Sequence, residues 1–337
     1  MPDGIATAPI TMNEPILSDW SAQKVADFGA VPLRLNHNLH RHPLFAEEAL
    51  SQLIETVDRA DYQVNTMDVT THDIASRRQG EIRGLPGREV LEAVKNGHIW
   101  ILLLHPQKRD PRYRDLLERI YAEFAHTIPG FEPFKLNMGI LISSPNVQVY
   151  YHCDVPGQML WQIQGSKRIY IYPNHEPFID QVALERITLE EATEFGLPYQ
   201  PSFDQHAAVY DLQPGQMLHW PLNAPHRIVN ADCVNMSFAT EYFTPSIRRL
   251  FYVNYANGVL RRRQGWSQLS QRTNGLSYWA KLGVAAAYKL SGVQRKRKCV
   301  VKVDFAVDPA APNGVRPIMG YGFHPGSARK EEISPAR

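Results

Sequence analysis

Cysteine is scarce in this 337-residue chain, and Cys153, Cys233 and Cys299 stand far apart with no CxxC pair among them. That excludes a disulfide framework and suits a reducing compartment. Net charge is also nearly absent: 36 Lys and Arg oppose 34 Asp and Glu, leaving +2. The chain as a whole makes no electrostatic case for nucleic acid or an anionic membrane. Long apolar runs are missing too, the longest plain one being 99-IWILLL-104, too short to span a bilayer. The N-terminus, MPDGIATAPITMNEPILSDW, has an acidic residue at position 3 and no basic segment leading into an apolar stretch, so no signal peptide is evident. The expectation is a cytoplasmic protein without membrane insertion, for which nucleic acid is not the partner.

What is present is a globular composition, 44% hydrophobic and 21% charged, in a length suited to one large or two ordinary domains. Residues 1–36 are mixed and read as an N-terminal arm ending in an extended segment. Apolar residues at helical spacing predict helices over 45–60, 88–97 and 111–130, with a buried strand at 98–105, so that 37–132 reads as a helical N-terminal region packed on a core. From 133 to 244 the texture changes to eight short strands: 134–143, 147–152, 158–164, 167–173, 208–212, 216–220, 226–230 and 234–243. Turns such as Pro156-Gly157 and Pro214-Gly215 separate them. Close spacing of this kind predicts a double-stranded β-helix, or jelly roll, with a ligand-binding mouth. Helices return over 245–263 and 276–290 within a C-terminal region of 245–308 that ends in a strand near 299–305, and the Pro/Gly-rich stretch 309–337 reads as a flexible tail. The fold class is therefore mainly β with flanking helices.

The chemistry sits in 147-VQVYYHCDVPGQMLWQIQGSKRIYIYP-173. A strand sends alternate side chains to one face, so His152 and Asp154 point together while Cys153 points away. Two metal ligands thus converge. The third is sought in 214-PGQMLHWPLNAPHRIVN-230, where His226, 74 residues after His152, follows a proline turn and His219 competes. Two histidines and a carboxylate on one face leave open positions, the arrangement of non-haem Fe(II) oxygenases.

In order and spacing, HxD, a Gly165-Ser166 turn, Lys167 and a late histidine resemble the JmjC and cupin-like 2-oxoglutarate/Fe(II) oxygenases, in particular the branch containing the hypoxia-inducible-factor asparaginyl hydroxylase. The resemblance is clearest over 138–244. It implies that His152, Asp154 and His226 hold Fe(II), and that Lys167, fifteen residues after His152, pairs with the distal carboxylate of the cosubstrate 2-oxoglutarate. A buried ammonium does need an anionic partner. Gln158 matches an amide near the metal. The implied reaction consumes dioxygen and hydroxylates a protein side chain or small molecule, or demethylates by way of hydroxylation, with no catalytic residue beyond the metal ligands.

Two positions depart from the family pattern. Val149 stands where several members have threonine, and 98–105 offers no tyrosine, which leaves Asn137, Tyr150 and His105 as substitutes around Lys167. These departures favour a competing reading, a non-enzymatic cupin-like metal- or ligand-binding module. Lys167 read alone is a snorkelling lysine at a strand start. His40 and His42 read as turn residues, and Tyr150, Tyr151, Trp161, Tyr170 and Tyr172 as core. The C-terminal helices resemble in position those that pair two copies in the asparaginyl hydroxylase branch, and Leu250, Phe251, Val253, Tyr255, Val259 and Leu260 are compatible with a homodimer. The basic clusters 261–263 and 294–298 read as solvated faces, the sharper alternative being contact with an anionic surface or nucleic acid.

Overall fold

The computed structural model describes residues 14–324 and 330–331. Helix α1 (Ala22–Asp27) is capped by Ser21, whose hydroxyl accepts from the Lys24 amide, and strand β1 (Leu33–Asn36) follows. Next come α2 (Glu47–Thr56), β2 (Tyr62–Thr66), β3 (Arg78–Glu81), α3 (Gly87–Asn96), β4 (Ile99–Leu104), α4 (Pro106–Arg109) and α5 (Pro111–Thr127). The barrel strands are β5 (Phe134–Ser143), β6 (Gln148–His152), β7 (Gly157–Gln164), β8 (Lys167–Ile171), β9 (Ala208–Leu212), β10 (Gln216–His219), β11 (His226–Asn230) and β12 (Asn235–Phe243). Helix α6 (Gln181–Thr188) lies in the long insertion between β8 and β9. The chain closes with α7 (Pro245–Gln264), α8 (Gly275–Leu290), β13 (Val301–Val307), β14 (Val315–Phe323) and β15 (Lys330–Glu331).

Two sheets face one another. The smaller has the order β6-β11-β8-β9, and the larger contains β10-β7-β12-β5 at its centre. These eight strands are the jelly roll, and every pairing within them is antiparallel. The larger sheet continues past β5 through β4, β2, β3, β13, β14 and β15, with β13 running parallel to β3.

Strand parity gives the larger sheet two packed faces. The outward side chains of the larger sheet, among them Ile140, Trp161 and Phe238, pack with Leu50, Val90 and Phe124 from the N-terminal helices. Each such fully buried side chain contributes about 1.5–3 kcal/mol. The inward set is smaller: Leu160, Ile169, Ile171, Leu218, Trp220 and Ile228 line the barrel. Of the apolar side chains offered above to a second copy, Tyr255 and Val259 of α7 are buried with Ala285 and Tyr288 of α8, Val253 is buried as well, and Leu250, Phe251 and Leu260 are half-buried.

The eight barrel strands and the main helices lie within a few residues of their expected bounds. Two other segments differ. Besides the expected strand β4, the region 37–132 contributes β2 and β3 to the large sheet; these two carry polar residues on buried positions and have no apolar alternation to announce them (YQVNT and RQGE). The stretch after 309, expected to be flexible, holds β14, whose Pro317 sits at an irregularity in the pairing with β13. The remaining positions of the arm and tail, 1–13, 325–329 and 332–337, lie outside the described residues.

Candidate metal centre

His152 ends β6 and His226 begins β11, and the antiparallel register sets them directly opposite one another. Their ring centroids are 4.0 Å apart. Each ring is oriented by its own backbone: Nδ1 of His152 lies 2.7 Å from the Tyr150 carbonyl, and Nδ1 of His226 lies 3.2 Å from that of Ala224. Donation from Nδ1 leaves both Nε2 lone pairs free. Asp154, two residues past the end of β6, brings Oδ2 within 3.4 Å of His226 Nε2. One ligand atom from each of the three residues lies within 4.8 Å of the others.

The turn that presents His226 is tied to the loop that presents Asp154. Asn223, in a left-handed conformation (φ 58°), donates from Nδ2 to the Asp154 carbonyl at 2.6 Å. Gln158 steadies the carboxylate itself: with its amide set by hydrogen bonding, it donates to both oxygens of Asp154, to Oδ1 at 3.2 Å. Burial lowers the pKa of both histidines, the neutral rings being the form that binds a metal. Burial, reinforced by Glu241 and Glu194, raises that of Asp154. A bound divalent cation reverses the penalty on the carboxylate, so the donor set fits such an ion.

The three residues open onto a cavity of about 420 Å³. Its inner wall is apolar, formed by Leu141, Val149, Leu160, Ile228 and Ala239. A bulge in the β6–β11 pairing puts Tyr150 and Tyr151 opposite Arg227 alone, which lets Val149 and His152, three residues apart, face the same space. The outer wall is acidic, with Glu190 and Glu194 from the insertion and Glu241 from β12. Trp100 and Gln63 complete a side wall, and the Trp100 Nε1 and Gln63 Oε1 atoms there have no partner among the described residues.

Lys167 lies inside the barrel, four residues along β8 from the position paired with His226, or about 13 Å of strand. It is buried, and its Nζ donates to the Ser237 hydroxyl at 2.9 Å. No carboxylate pairs with it among the described residues, and burial pulls its pKa down to about 7.

The remaining expected residues separate by place. Asn137 is at the mouth, where its Oδ1 accepts from His105 and Gln107 and its Nδ2 donates to Glu241 at 2.9 Å. Neither it nor His105 is near Lys167. Tyr150 turns outward to the Asp68 carbonyl and the Ser76 hydroxyl. His219 is stacked on Phe28 and bonded to Tyr242 on the outer face of the larger sheet, away from the other ligands. Cys153 packs with Tyr151 and Tyr172. Sequence reasoning missed Glu194, Trp100 and Gln63. It also missed Ser237 and Glu241, although both share the inward parity of β12 in SFATE with Ala239.

No model of a known family matches the chain, and no curated protein does. Solved structures do resemble it. Escherichia coli YcfD superposes with a TM-score of 0.46 at 15% identity, covering 81% of this chain and 68% of that one. YcfD described as a ribosomal oxygenase in complex with cobalt and 2-oxoglutarate gives 0.42 at 16% identity, and its complex with cobalt and succinic acid gives 0.41 at 15%. In both of these, 77% of this chain matches 63% of the other, so the chain spans under two thirds of their length.

Proposed function

We propose that the chain is an Fe(II)- and 2-oxoglutarate-dependent dioxygenase of the hydroxylase type, acting on a protein side chain or a small molecule. The observation that carries this reading is the pairing of two sites in one barrel: two histidines and an aspartate at its mouth, and a buried, anion-free lysine in its interior. A dicarboxylate that chelates a metal at one end and pairs with an ammonium at the other satisfies both.

His152, Asp154 and His226 would hold the iron. Gln158 fixes the carboxylate orientation. Lys167, with Ser237 beside it, receives the far carboxylate of 2-oxoglutarate, a role Ser237 supports where Asn137 was expected to. Bound there, the metal supplies the redox chemistry that couples decarboxylation of 2-oxoglutarate by dioxygen to hydroxylation, and the protein orients the reactants and excludes water. The insertion around α6, which lines the cavity with Glu190, Glu194 and Phe195, frames the mouth and selects the substrate.

The test is an anaerobic titration of Fe(II)-loaded protein with 2-oxoglutarate, following the visible charge-transfer band of a chelated 2-oxo acid. The band is expected in the wild type, absent in His152→Ala, and reached only at far higher cosubstrate concentration in Lys167→Ala. Bound iron without a band leaves the non-enzymatic binding module, the reading that Val149 and the tyrosine-free β4 favour.

A further inference from the structure

The polar atoms that this fold leaves unmatched gather in one place. Six of the buried side-chain nitrogens and oxygens without a hydrogen-bond partner among the described residues belong to five neighbouring side chains: Gln63 Oε1, both ends of the Asn65 amide, Arg77 Nε, Gln79 Oε1 and Trp100 Nε1. Strand register brings them together. Asn65 of β2 pairs with Gln79 of β3 on one side and with Trp100 of β4 on the other, so the three share a face of the sheet. Gln63 and Arg77, each two residues away along extended backbone, share it too. The opposite face of these strands, with Tyr62, Val64, Ile101 and Leu103, is packed core. Asn65 is fully buried, and Gln79 and Trp100 are each 3% exposed. An enclosed polar atom left unpaired costs its full desolvation penalty, and native interiors hold few of them. Six on one patch point to a ligand.

The patch adjoins the metal cavity. Gln63 and Trp100 line that cavity, as do Glu194 and Phe195 of the insertion. Phe195 is the cover between the two: it clusters with Trp100 and Met67, and its ring lies 5.1 Å from that of His152. The Arg77 guanidinium carbon stands 4.4 Å from the centre of the same ring. A phenyl ring answers the face of a guanidinium, but it accepts no hydrogen bond from the Arg77 Nε or the Trp100 indole. Arg77 pairs with no carboxylate among the described residues, and Glu194 acts on it only through space.

We propose that this patch binds the head of a free α-amino acid and directs its side chain toward the metal, with Phe195 turning aside to admit it. The donors and acceptors select this class. Arg77, Trp100 and Asn65 offer three N–H donors, one of them charged, to a carboxylate. Gln63, Asn65 and Gln79 offer three carbonyl acceptors to an ammonium, and Glu194 supplies its counter-charge. A bare carboxylate leaves the acceptors unused, and a peptide bond leaves the Arg77 charge unused. The cosubstrate occupies the barrel interior at Lys167, so the two ligands do not compete. Hydroxylation of the bound side chain rests on the dioxygenase reading; the head-group site does not.

Calorimetric titration of the full chain with a panel of free L-amino acids tests the site, first without metal and then with Co(II) and 2-oxoglutarate bound. At least one amino acid is expected to bind in both states. Its N-acetyl and C-terminal amide derivatives bind at least about tenfold more weakly. Arg77→Gln lowers its affinity at least about tenfold and Trp100→Phe about two- to tenfold, while 2-oxoglutarate affinity stays that of the wild type in both. Phe195→Ala, which removes the cover, raises the affinity. A panel with no binder overturns the proposal, as do derivatives that bind as tightly as the free amino acid. Unchanged affinity in Arg77→Gln also overturns it and assigns the patch to ordered water. If Arg77→Gln does not fold, the two derivatives, titrated into the wild type, decide alone. Amino-acid binding by a protein that forms no charge-transfer band with Fe(II) and 2-oxoglutarate supports the site and overturns only the dioxygenase reading.

Discussion

The mouth and the interior end of the barrel hold uncompensated groups of opposite sign. At the mouth, burial pushes the Asp154 and Glu241 carboxyls up, and each feels the charge of Glu194. In the interior, burial pulls the Lys167 amine down to about 7, and a neutral hydroxyl is its hydrogen-bond partner. Elsewhere the same chain pairs a buried arginine and a buried glutamate: Arg227, packed over the Tyr170 ring, meets Asp204, and Glu185 meets Arg261. The difference between these regions is instructive. A fold that neutralises a buried arginine with a carboxylate leaves its barrel ends unfinished, one short of a cation and the other short of an anion. Each end is unfavourable alone and is relieved by a ligand.

Removing the mouth breaks the comparison most strongly. His152→Ala or Asp154→Ala is expected to weaken Fe(II) or Co(II) binding by more than about a hundredfold, because loss of a partner that merely orients a ligand already costs about ten- to a hundredfold. Calorimetric titration with Co(II) reads this directly, with His219→Ala as the control that leaves metal affinity intact.

Removing the interior charge should separate binding from stability. Lys167→Met deletes a buried cation that has no anion, so it is expected to raise the melting temperature of the ligand-free protein. The same change weakens 2-oxoglutarate binding at least about thirtyfold, since the far carboxylate then enters an apolar pocket unpaired. A variant that melts lower and binds as before would mean that Lys167 serves the core and not the ligand.

Much of this arrangement was legible in the sequence because the barrel strands are amphipathic. Period-two alternation and Gly-containing turns locate β5 to β12, and HxD declares itself by parity. The less legible parts have physical causes. Asn65, Gln79 and Glu81 are polar residues on buried strand positions, so β2 and β3 carry no apolar signature. The bulge at Tyr150-Tyr151 overrides the alternation that would otherwise set Val149 and His152 on opposite faces. Asn137 looked available to the cosubstrate because it is a polar residue on an inward-facing strand, yet where it lies along β5 matters as much as which way it faces. It pairs with Glu241 at the mouth, four residues along β12 from Ser237.

A pH titration sharpens the contrast. The folded, ligand-free Lys167 has a pKa of about 7, against about 10.4 in an unfolded chain. Between those values the unfolded state holds the extra proton, so the Lys167 contribution to stability improves as pH rises from 7 toward 10 and is at its worst below 7. Binding of 2-oxoglutarate runs the other way. It requires the ammonium, so above pH 7 affinity should fall about tenfold per pH unit as a proton must be taken up. Lys167→Arg, charged throughout, should flatten that slope.

The smallest effect is expected at Ser237. Its hydroxyl is neutral, so it orients the Lys167 amine without balancing its charge, and a single such hydrogen bond is worth about 0.5–1.5 kcal/mol. Ser237→Ala should therefore weaken 2-oxoglutarate about two- to tenfold at pH 7, while metal affinity at the mouth stays unchanged. A Ser237→Thr variant that keeps the hydroxyl should retain most of the affinity. If Ser237→Ala matched the loss in Lys167→Met, the hydroxyl would itself be a principal carboxylate donor, and the interior end would be a polar pocket and not a lone buried charge.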